Sequence, residues 1–472
     1  MKKVHYIGFV ILMSVLWISC EKDSKSGNEY QKYFVAAFAE ESASYSQISD
    51  DYKIEILYSE IALADGTLTV KINERNAKEG IDYTTIPKIV NQEIKLPIKK
   101  GSKGTEILFK NLIYPFDRDD KTVQFEITSI DYSESSSIQG FSVMMVSFDA
   151  SLGGVIAPNI GGAREQNQVY VELSSKNTTE IQRDTWDLAF YSGNDNRVKL
   201  NGSIYMAAAS LNFTNIDLVR RSYVETLEKD VAIGTFEPTN VKYIDFPSGD
   251  LSQTAIAKVS EIDEENKVYL VNLGFDIPTE EPFAGSVNVS GKSRGWKKIR
   301  VLKRDNGYLL QYADVNASVH NEILITKNNA YNFQFFSFNN AEVLKIEPAK
   351  SKWDLNFTVF TNINDAGSYG YSDFISNNRY GGVEAYLIDT NQNGSKSYEQ
   401  FEIKDLNESL FKLDLRTIGS SWREVADGKK LFSNIYYVIK DAKGNYYKMR
   451  MLTFLNEQGE RGYPKFEYKL LR

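Results

Sequence analysis

Tyr331-Asn332-Phe333-Gln334-Phe335-Phe336-Ser337-Phe338 and, beyond a turn at Asn339-Asn340, Lys352-Trp353-Asp354-Leu355-Asn356-Phe357 are the stretches that decide the fold of this chain. Both place large apolar side chains at a spacing of two, the period of a strand with one buried face. Glu342-Val343-Leu344-Lys345 lies between them as a further short strand. Downstream, Ile435-Tyr436-Tyr437-Val438-Ile439-Lys440 and Tyr446-Tyr447-Lys448-Met449-Arg450-Met451 flank Asp441-Ala442-Lys443-Gly444-Asn445 and read as a hairpin. Its Lys-Gly-Asn supplies the positive φ that such turns need. Gly462-Tyr463-Pro464-Lys465-Phe466-Glu467-Tyr468 closes the set.

An echo of these motifs stands upstream. Val169-Tyr170-Val171-Glu172-Leu173 is followed by Arg183-Asp184-Thr185-Trp186-Asp187-Leu188-Ala189-Phe190, and later by a hairpin about Asp305-Asn306-Gly307. Each half therefore carries a β-prone strand, a Trp-Asp-Leu-x-Phe strand and a late hairpin. The first copy is longer between its tryptophan and its hairpin. Within the extra length, Leu218, Val219, Tyr223, Val224 and Leu227 fit a short amphipathic helix over 217–229. In Trp-Asp-Leu-x-Phe, alternation predicts that Trp186, Leu188 and Phe190 share one face and Asp187 and Ala189 the other, with Trp353, Leu355 and Phe357 likewise aligned. The motif reads as core packing, with the aspartates holding a turn or an edge.

The order of the C-terminal motifs resembles the HmuY family of secreted haem-binding lipoproteins, over about residues 165–472. The resemblance implies an antiparallel β-domain folded like a grasping hand, with haem between its loops and two axial side chains, histidines or methionines. It also implies delivery to an outer-membrane transporter. Residues 164–328 and 329–472 are the two expected HmuY-like halves, either a duplication or one enlarged domain.

The N-terminus places the chain outside the cell. Lys2-Lys3, the apolar run from Tyr6 to Ile18 and Ser19-Cys20 fit a secretory leader over 1–20 that is too short to span a membrane. A small residue before the single cysteine of the chain resembles a bacterial lipoprotein cleavage site, and Cys20 is the expected lipid attachment point. Residues 21–29 read as a polar tether. After processing no cysteine pair remains, so the fold rests on its cores. The expected location is the outer membrane, lipid-anchored and facing outward.

Residues 30–150 show short alternating segments with regular turn signals, the pattern of a β-sandwich. Within them Asn76-Ala77-Lys78-Glu79-Gly80-Ile81-Asp82-Tyr83 resembles a corner of Calx-β-like domains. No dense carboxylate cluster stands there, so the sequence argues against calcium and for Asp82 capping a turn while Tyr83 packs the core. Residues 151–163 form a glycine-rich linker. The fold class is thus all-β: a sandwich followed by the HmuY-like antiparallel domain. With 29 Tyr and 26 Phe, the composition suits such a fold.

Net charge is −8, which argues against nucleic-acid binding. No HExxH, Walker or dinucleotide-binding motif stands in a fitting context and no nucleophilic cysteine survives processing, so no catalytic set and no metal set is expected. Two glycine- and asparagine-rich loops are the candidate ligand loops: Asn194 and Arg197 in the first, Tyr369, Tyr371, Arg379 and Tyr380 in the second. Aromatics there would stack on a flat ligand, and arginine would pair with a carboxylate. Of the chain's two histidines, His5 lies in the leader. His320 and Met206 are therefore the candidate haem ligands. The functional expectation is a surface-anchored lipoprotein of the HmuY type that binds haem or a related ligand for uptake. The alternative is a glycan- or protein-binding adhesion lipoprotein without haem ligation.

Overall fold

The computed structural model describes residues 33–44, 51–112, 121–133, 135–148, 153–283, 285–425 and 430–471. The expected leader, Cys20 and the tether lie outside them.

Ten strands build the N-terminal unit: β1 (Phe34–Phe38), β2 (Ser42–Ser44), β3 (Asp51–Tyr58), β4 (Gly66–Arg75), β5 (Tyr83–Ile86), β6 (Glu93–Ile98), β7 (Gly104–Asn111), β8 (Thr122–Tyr132), β9 (Ser136–Ile138) and β10 (Val143–Ser147). They form two five-stranded sheets, β5-β7-β3-β1-β9 and β2-β10-β8-β4-β6. The alternating residues Ile54 and Ile56, Leu68, Val70 and Ile72, and Val123, Phe125 and Ile127 meet in one core. At the corner, Tyr83 is fully buried, stacks on Phe109 at 4.8 Å and donates to Glu74 at 2.7 Å. Asp82 accepts from the Lys78 amide at 2.7 Å and pairs with the Lys121 ammonium at 2.8 Å.

Two runs of strands follow. The first is β11 (Gly153–Ile156), β12 (Asn167–Glu172), β13 (Asn177–Gln182), β14 (Leu188–Tyr191), β15 (Val198–Leu200), β16 (Ala207–Ser210), β17 (Val268–Asn272), β18 (Trp296–Arg304) and β19 (Gly307–Asp314). The second is β20 (Asn321–Thr326), β21 (Phe333–Ser337), β22 (Glu342–Leu344), β23 (Leu355–Asn364), β24 (Gly367–Asn377), β25 (Glu384–Asp389), the two-residue pair β26 (Arg423–Glu424) and β27 (Lys430–Leu431), β28 (Ile435–Lys440), β29 (Tyr446–Leu455) and β30 (Arg461–Leu470).

The runs are interlocked rather than adjacent. The sheets are β13-β12-β23-β24, β15-β14-β21-β22, β16-β17-β18-β19-β20 and β11-β30-β29-β28-β25. With the runs divided between β19 and β20 rather than at the expected 328/329, and with β11 drawn from the expected linker, each run places its opening strand in the other's five-stranded sheet. Each also pairs its second strand with the other's Trp-Asp-Leu strand: Val171 opposes Leu355, and Phe336 opposes Leu188. This topology aligns β17-β18-β19 with β28-β29-β30, so the two hairpins noted in the sequence are offset by one strand. Deleting either repeat would strip hydrogen bonds from every sheet of the other.

Three local expectations are corrected. First, 217–229 is not an α-helix but contains two 3₁₀ turns, Ile216–Leu218 and Arg221–Tyr223. Arg220 donates to the carbonyls of Asp217 and Val219, and Lys298 also takes Val219. Acceptors that a helix would use are thus occupied, although Val219, Val224 and Leu227 still pack together. Second, the Asn306-Gly307 pair, which reads like Lys-Gly-Asn as the source of positive φ in its hairpin, does not supply it: at the β18–β19 turn the positive φ falls on Asp305, at 35°. Gly307 is required for another reason: a Cβ there would stand 2.1 Å from the Ile325 carbonyl oxygen of the adjoining β20. Third, Trp186 does not share a face with Leu188 and Phe190. The strand begins only at Leu188, and Trp186 packs with Ala189 on the opposite side; Trp353 leaves Leu355 and Phe357 in the same way.

Candidate ligand site between the repeats

The duplicated motif organises the site through matched hydrogen bonds. Asp187 accepts from the Phe338 amide at 2.6 Å, one residue beyond β21. Asp354 accepts from the Leu173 amide at 2.7 Å, one residue beyond β12. Each aspartate thus caps the end of a strand from the other repeat. Asn201 and Asn378 repeat the pattern on the next turn. Asn201 donates its amide group to the carbonyls of Arg183 and Trp186, both at 2.7 Å. Asn378 donates to those of Lys350 and Trp353, both at 2.8 Å. These bonds fix the backbone on either side of each tryptophan.

Held this way, the indoles point into a shared aromatic cluster. Tyr170 of β12 meets Trp353 edge-on at 4.9 Å, and Phe335 of β21 meets Trp186 edge-on at 4.9 Å. Phe333 and Tyr380 meet at 4.9 Å beside them. The cluster encloses a cavity of about 140 Å³, which with its mouth opens into about 980 Å³ of empty space. Both four-stranded sheets contribute to its wall. Residues 244–249, from the insertion between β16 and β17, cross it, fastened where Asp245 accepts from Leu200 at 2.8 Å and Tyr380 donates to the Gly249 carbonyl at 2.8 Å.

The wall is not uniformly apolar. Lys199 sits with its ammonium over the Phe333 and Tyr380 rings, at 5.6 and 5.0 Å. Burial pulls its pKa down, but Tyr380, Asp245 and Glu347 outweigh that and leave it above the usual lysine value. Burial pushes the Asp245 carboxyl up against the pull of Lys199. Burial also pushes Glu347 up to about 8, although the Phe333 amide donates to it at 2.8 Å. Four lining residues carry a buried polar atom without a partner among the described residues: the indole nitrogens of Trp186 and Trp353 and the amide oxygens of Asn356 and Asn377.

Of the residues singled out in the sequence, Met206 and Tyr380 line this cavity. The other described candidates are not among its lining residues. Met206 is fully buried and packs with the core that includes Leu188 and Phe190. His320 has both ring nitrogens engaged, with Asp217 at 2.9 Å and Glu322 at 3.2 Å. Arg197 is paired with Asp195 at 3.0 Å, and Asn194 is exposed. Tyr369 and Tyr371 meet edge-on at 5.4 Å on β24, with Tyr369 exposed. Arg379 precedes Tyr380 in the 3₁₀ turn that Asn378 caps. Sequence reasoning missed Trp186, Trp353, Asn356, Asn377 and Lys199. The signal that could have found them is the tryptophan of the duplicated motif together with its variable fourth position, Ala189 in one copy and Asn356 in the other.

A family model described as HmuY protein matches residues 164–468, well over half of the chain and across both repeats. No curated protein matches the chain. Among solved structures, the apo-form Calx CBD1 domain is 9% identical, over 25% of this chain and 96% of that one, with a TM-score of 0.21. A Bacteroides fragilis NCTC 9343 protein described as a lipoprotein is 11% identical, over 67% and 90%, with a TM-score of 0.15. A Bacteroides ovatus ATCC 8483 protein described as carbohydrate-binding is 8% identical, over 72% and 96%, with a TM-score of 0.14. Scores this low carry no argument about fold or function.

Proposed function

The chain belongs to the HmuY family, and from that premise we propose that it is a surface-anchored lipoprotein that captures haem or a related tetrapyrrole and passes it to an outer-membrane transporter. The observation that carries the reading is the family match over residues 164–468. The family is one of binding proteins, and capture needs no catalytic set. Anchoring is assigned to acylation of Cys20, with residues 21–29 as the tether. Met206 is one candidate ligand, a thioether in the cavity wall that is fully buried and would have to be uncovered before it could reach iron. His320 is the other candidate ligand, and its two carboxylate partners would have to release a ring nitrogen before it could reach iron.

The test is a haemin titration of the chain lacking residues 1–20, read by absorbance in the oxidised and reduced states. Haem capture predicts a saturable Soret shift with low-spin bands, weakened by Met206→Ala or His320→Ala. A titration no sharper than that of serum-free buffer with an unrelated β-protein would sink haem capture. The second reading, surface binding of a glycan or a protein without iron ligation, is favoured by a specific observation: the described lining residues of the cavity include no histidine.

A further inference from the structure

We propose that the cavity between the repeats is a binding site for one neutral, hydroxylated six-membered ring, the size of a single sugar unit or a cyclic polyol. The inference takes from the family reading only that the chain is a binding protein, and it stands or falls separately from haem capture.

Size comes first. A void of about 150 Å³ lined by apolar side chains admits a benzene ring, and this cavity is about 140 Å³. Drug-sized ligands occupy roughly 300–1,000 Å³. The inner part of the cavity is thus scaled to a single ring, and a tetrapyrrole would have to project through the mouth or displace the segment 244–249.

The wall chemistry narrows the class. Buried polar atoms are ordinarily hydrogen-bonded, and each one left without a partner costs about 1–3 kcal/mol. Four belong to residues of this wall: two N–H donors, on Trp186 and Trp353, and two carbonyl acceptors, on Asn356 and Asn377, each covered by its neighbours, so that a guest meets them as the wall adjusts around it. Trp353 and Asn377 are themselves almost fully buried. A hydroxyl both donates and accepts, so a ring bearing several hydroxyls can satisfy both kinds at once. A purely aromatic guest would leave all four unmet.

The two repeats also present different faces to the guest. Through the aligned motifs, Asn356 stands where Ala189 stands in the first copy, and Asn377 where Leu200 stands; all four line the cavity. The sheet β13-β12-β23-β24 thus offers the amides. The opposite sheet offers Ala189, Phe333 and Phe335, apolar surface against which the C–H face of a ring can lie. Charge completes the case for neutrality. The Asp245 carboxyl and the Tyr380 hydroxyl partner the Lys199 ammonium, so this cation is not free for an anionic ligand.

The experiment is calorimetric titration of the chain lacking residues 1–20 with D-galactose, D-glucose, N-acetyl-D-glucosamine and myo-inositol, with intrinsic tryptophan fluorescence as a second readout. Saturable binding of at least one probe is expected, with a fluorescence change because Trp186 and Trp353 line the site. Trp353→Phe keeps a ring and deletes one N–H. Asn356→Ala restores the residue of the first copy. Each is expected to weaken binding about tenfold, the loss of roughly one hydrogen bond, while Tyr463→Ala, at an exposed position of β30 away from the cavity lining, leaves it unchanged. Binding that Asn356→Ala and Trp353→Phe do not touch would overturn the proposal, as would the absence of any saturable heat with all four probes, which would mark the cavity as a hydrated void only. Haemin added to the same samples reports separately on haem capture.

Discussion

The two repeats use the same aspartate for the same backbone task and compensate its charge in opposite ways. Asp187 and Asp354 each cap a strand end of the other repeat, within 0.1 Å of one another in hydrogen-bond length, at 2.6 and 2.7 Å. Asp187, however, also meets the buried Arg294 guanidinium at 2.6 Å. Among the described residues no cation pairs directly with Asp354. Burial and the neighbouring Asp441 and Glu172 carboxylates raise it well above the usual carboxylate range, with Lys443 pulling weakly the other way. The two copies of the motif share what the backbone requires and differ in their electrostatics. A strand-end amide needs an acceptor in both copies, and an ionised carboxylate or a protonated one can each accept through the carbonyl oxygen.

The largest effect expected from this difference is at the ion pair. Asp187→Ala leaves Arg294 buried, with the half-exposed Asp276 at 3.5 Å as its remaining carboxylate. Stripping one partner from a buried pair costs about 3–5 kcal/mol, and Asp276 places this case toward the lower end. Asp354→Ala removes one hydrogen bond and a buried polar group, a loss of about 1–3 kcal/mol. Urea unfolding midpoints at pH 7 should therefore rank Asp187→Ala well below Asp354→Ala. Equal losses would mean that the two aspartates act through the capped amide alone.

Where the repeats agree, so should their variants. Asn201→Ala and Asn378→Ala each delete two donations to main-chain carbonyls and two acceptances, from the Ser203 amide and hydroxyl in the first and from the Gly381 amide and the Asn332 side-chain amide in the second. Each is expected to cost about 2–3 kcal/mol, with the two values within about 1 kcal/mol of each other by thermal or urea unfolding. A wide gap would show that one repeat carries the interlocked structure and the other follows it.

Glu347 sharpens the contrast through pH. Its folded value of about 8 lies above the ordinary 4.5. Between those values the unfolded chain has lost the proton and the folded chain still holds it. Stability contributed by this group is therefore full below about pH 4.5 and falls as pH rises toward 8. With the effective dielectric of about 20 that describes even buried sites, the contribution is about 1–2 kcal/mol. Glu347→Gln should flatten that part of the stability profile measured from pH 5 to 8. An unchanged slope would assign the pH dependence to other buried carboxyls, such as Glu165 beside Asp373.

Much of this architecture is legible in the residues, and the misses have physical causes. Alternation in β14 and β23 correctly marks Leu188, Phe190, Leu355 and Phe357 as core, because a paired strand enforces a period of two. The same rule misplaces Trp186 and Trp353, since both precede their strands, where nothing enforces the alternation. Both indoles line the cavity instead of joining the Leu-x-Phe core stripe. The echo of the motifs was visible, but the exchange of strands was not: pairing partners such as Leu188 and Phe336 lie far apart in sequence, and either arrangement satisfies the same hydrophobic pattern. Tyr380 and Met206 were chosen for their chemistry and do line the cavity. Asn356 and Asn377 carry no sequence signal of their own beyond the motif copy in which they sit.

The smallest expected effect tests the strand exchange itself. His320 sits just before β20, the strand that the second repeat lends to the first, and it bonds across to Asp217 in the first repeat's insertion. The lent strand of the other direction, Gly153-Gly154-Val155-Ile156, contains no titratable side chain. Burial lowers the His320 pKa, but the bonds to Asp217 and Glu322 outweigh it and raise the group above its ordinary 6.5. A histidine raised on folding contributes stability that is fully present below the unfolded value and lost as pH rises through the folded one. The pair is partly solvated, so the contribution is about 0–1 kcal/mol. His320→Ala should thus lower the unfolding midpoint slightly at pH 5.5 and not at pH 8.5, and backbone amide exchange should quicken in β20 while β11 is unaffected. Equal quickening in both lent strands would show that they open together, as one cooperative exchange, rather than each being pinned on its own side.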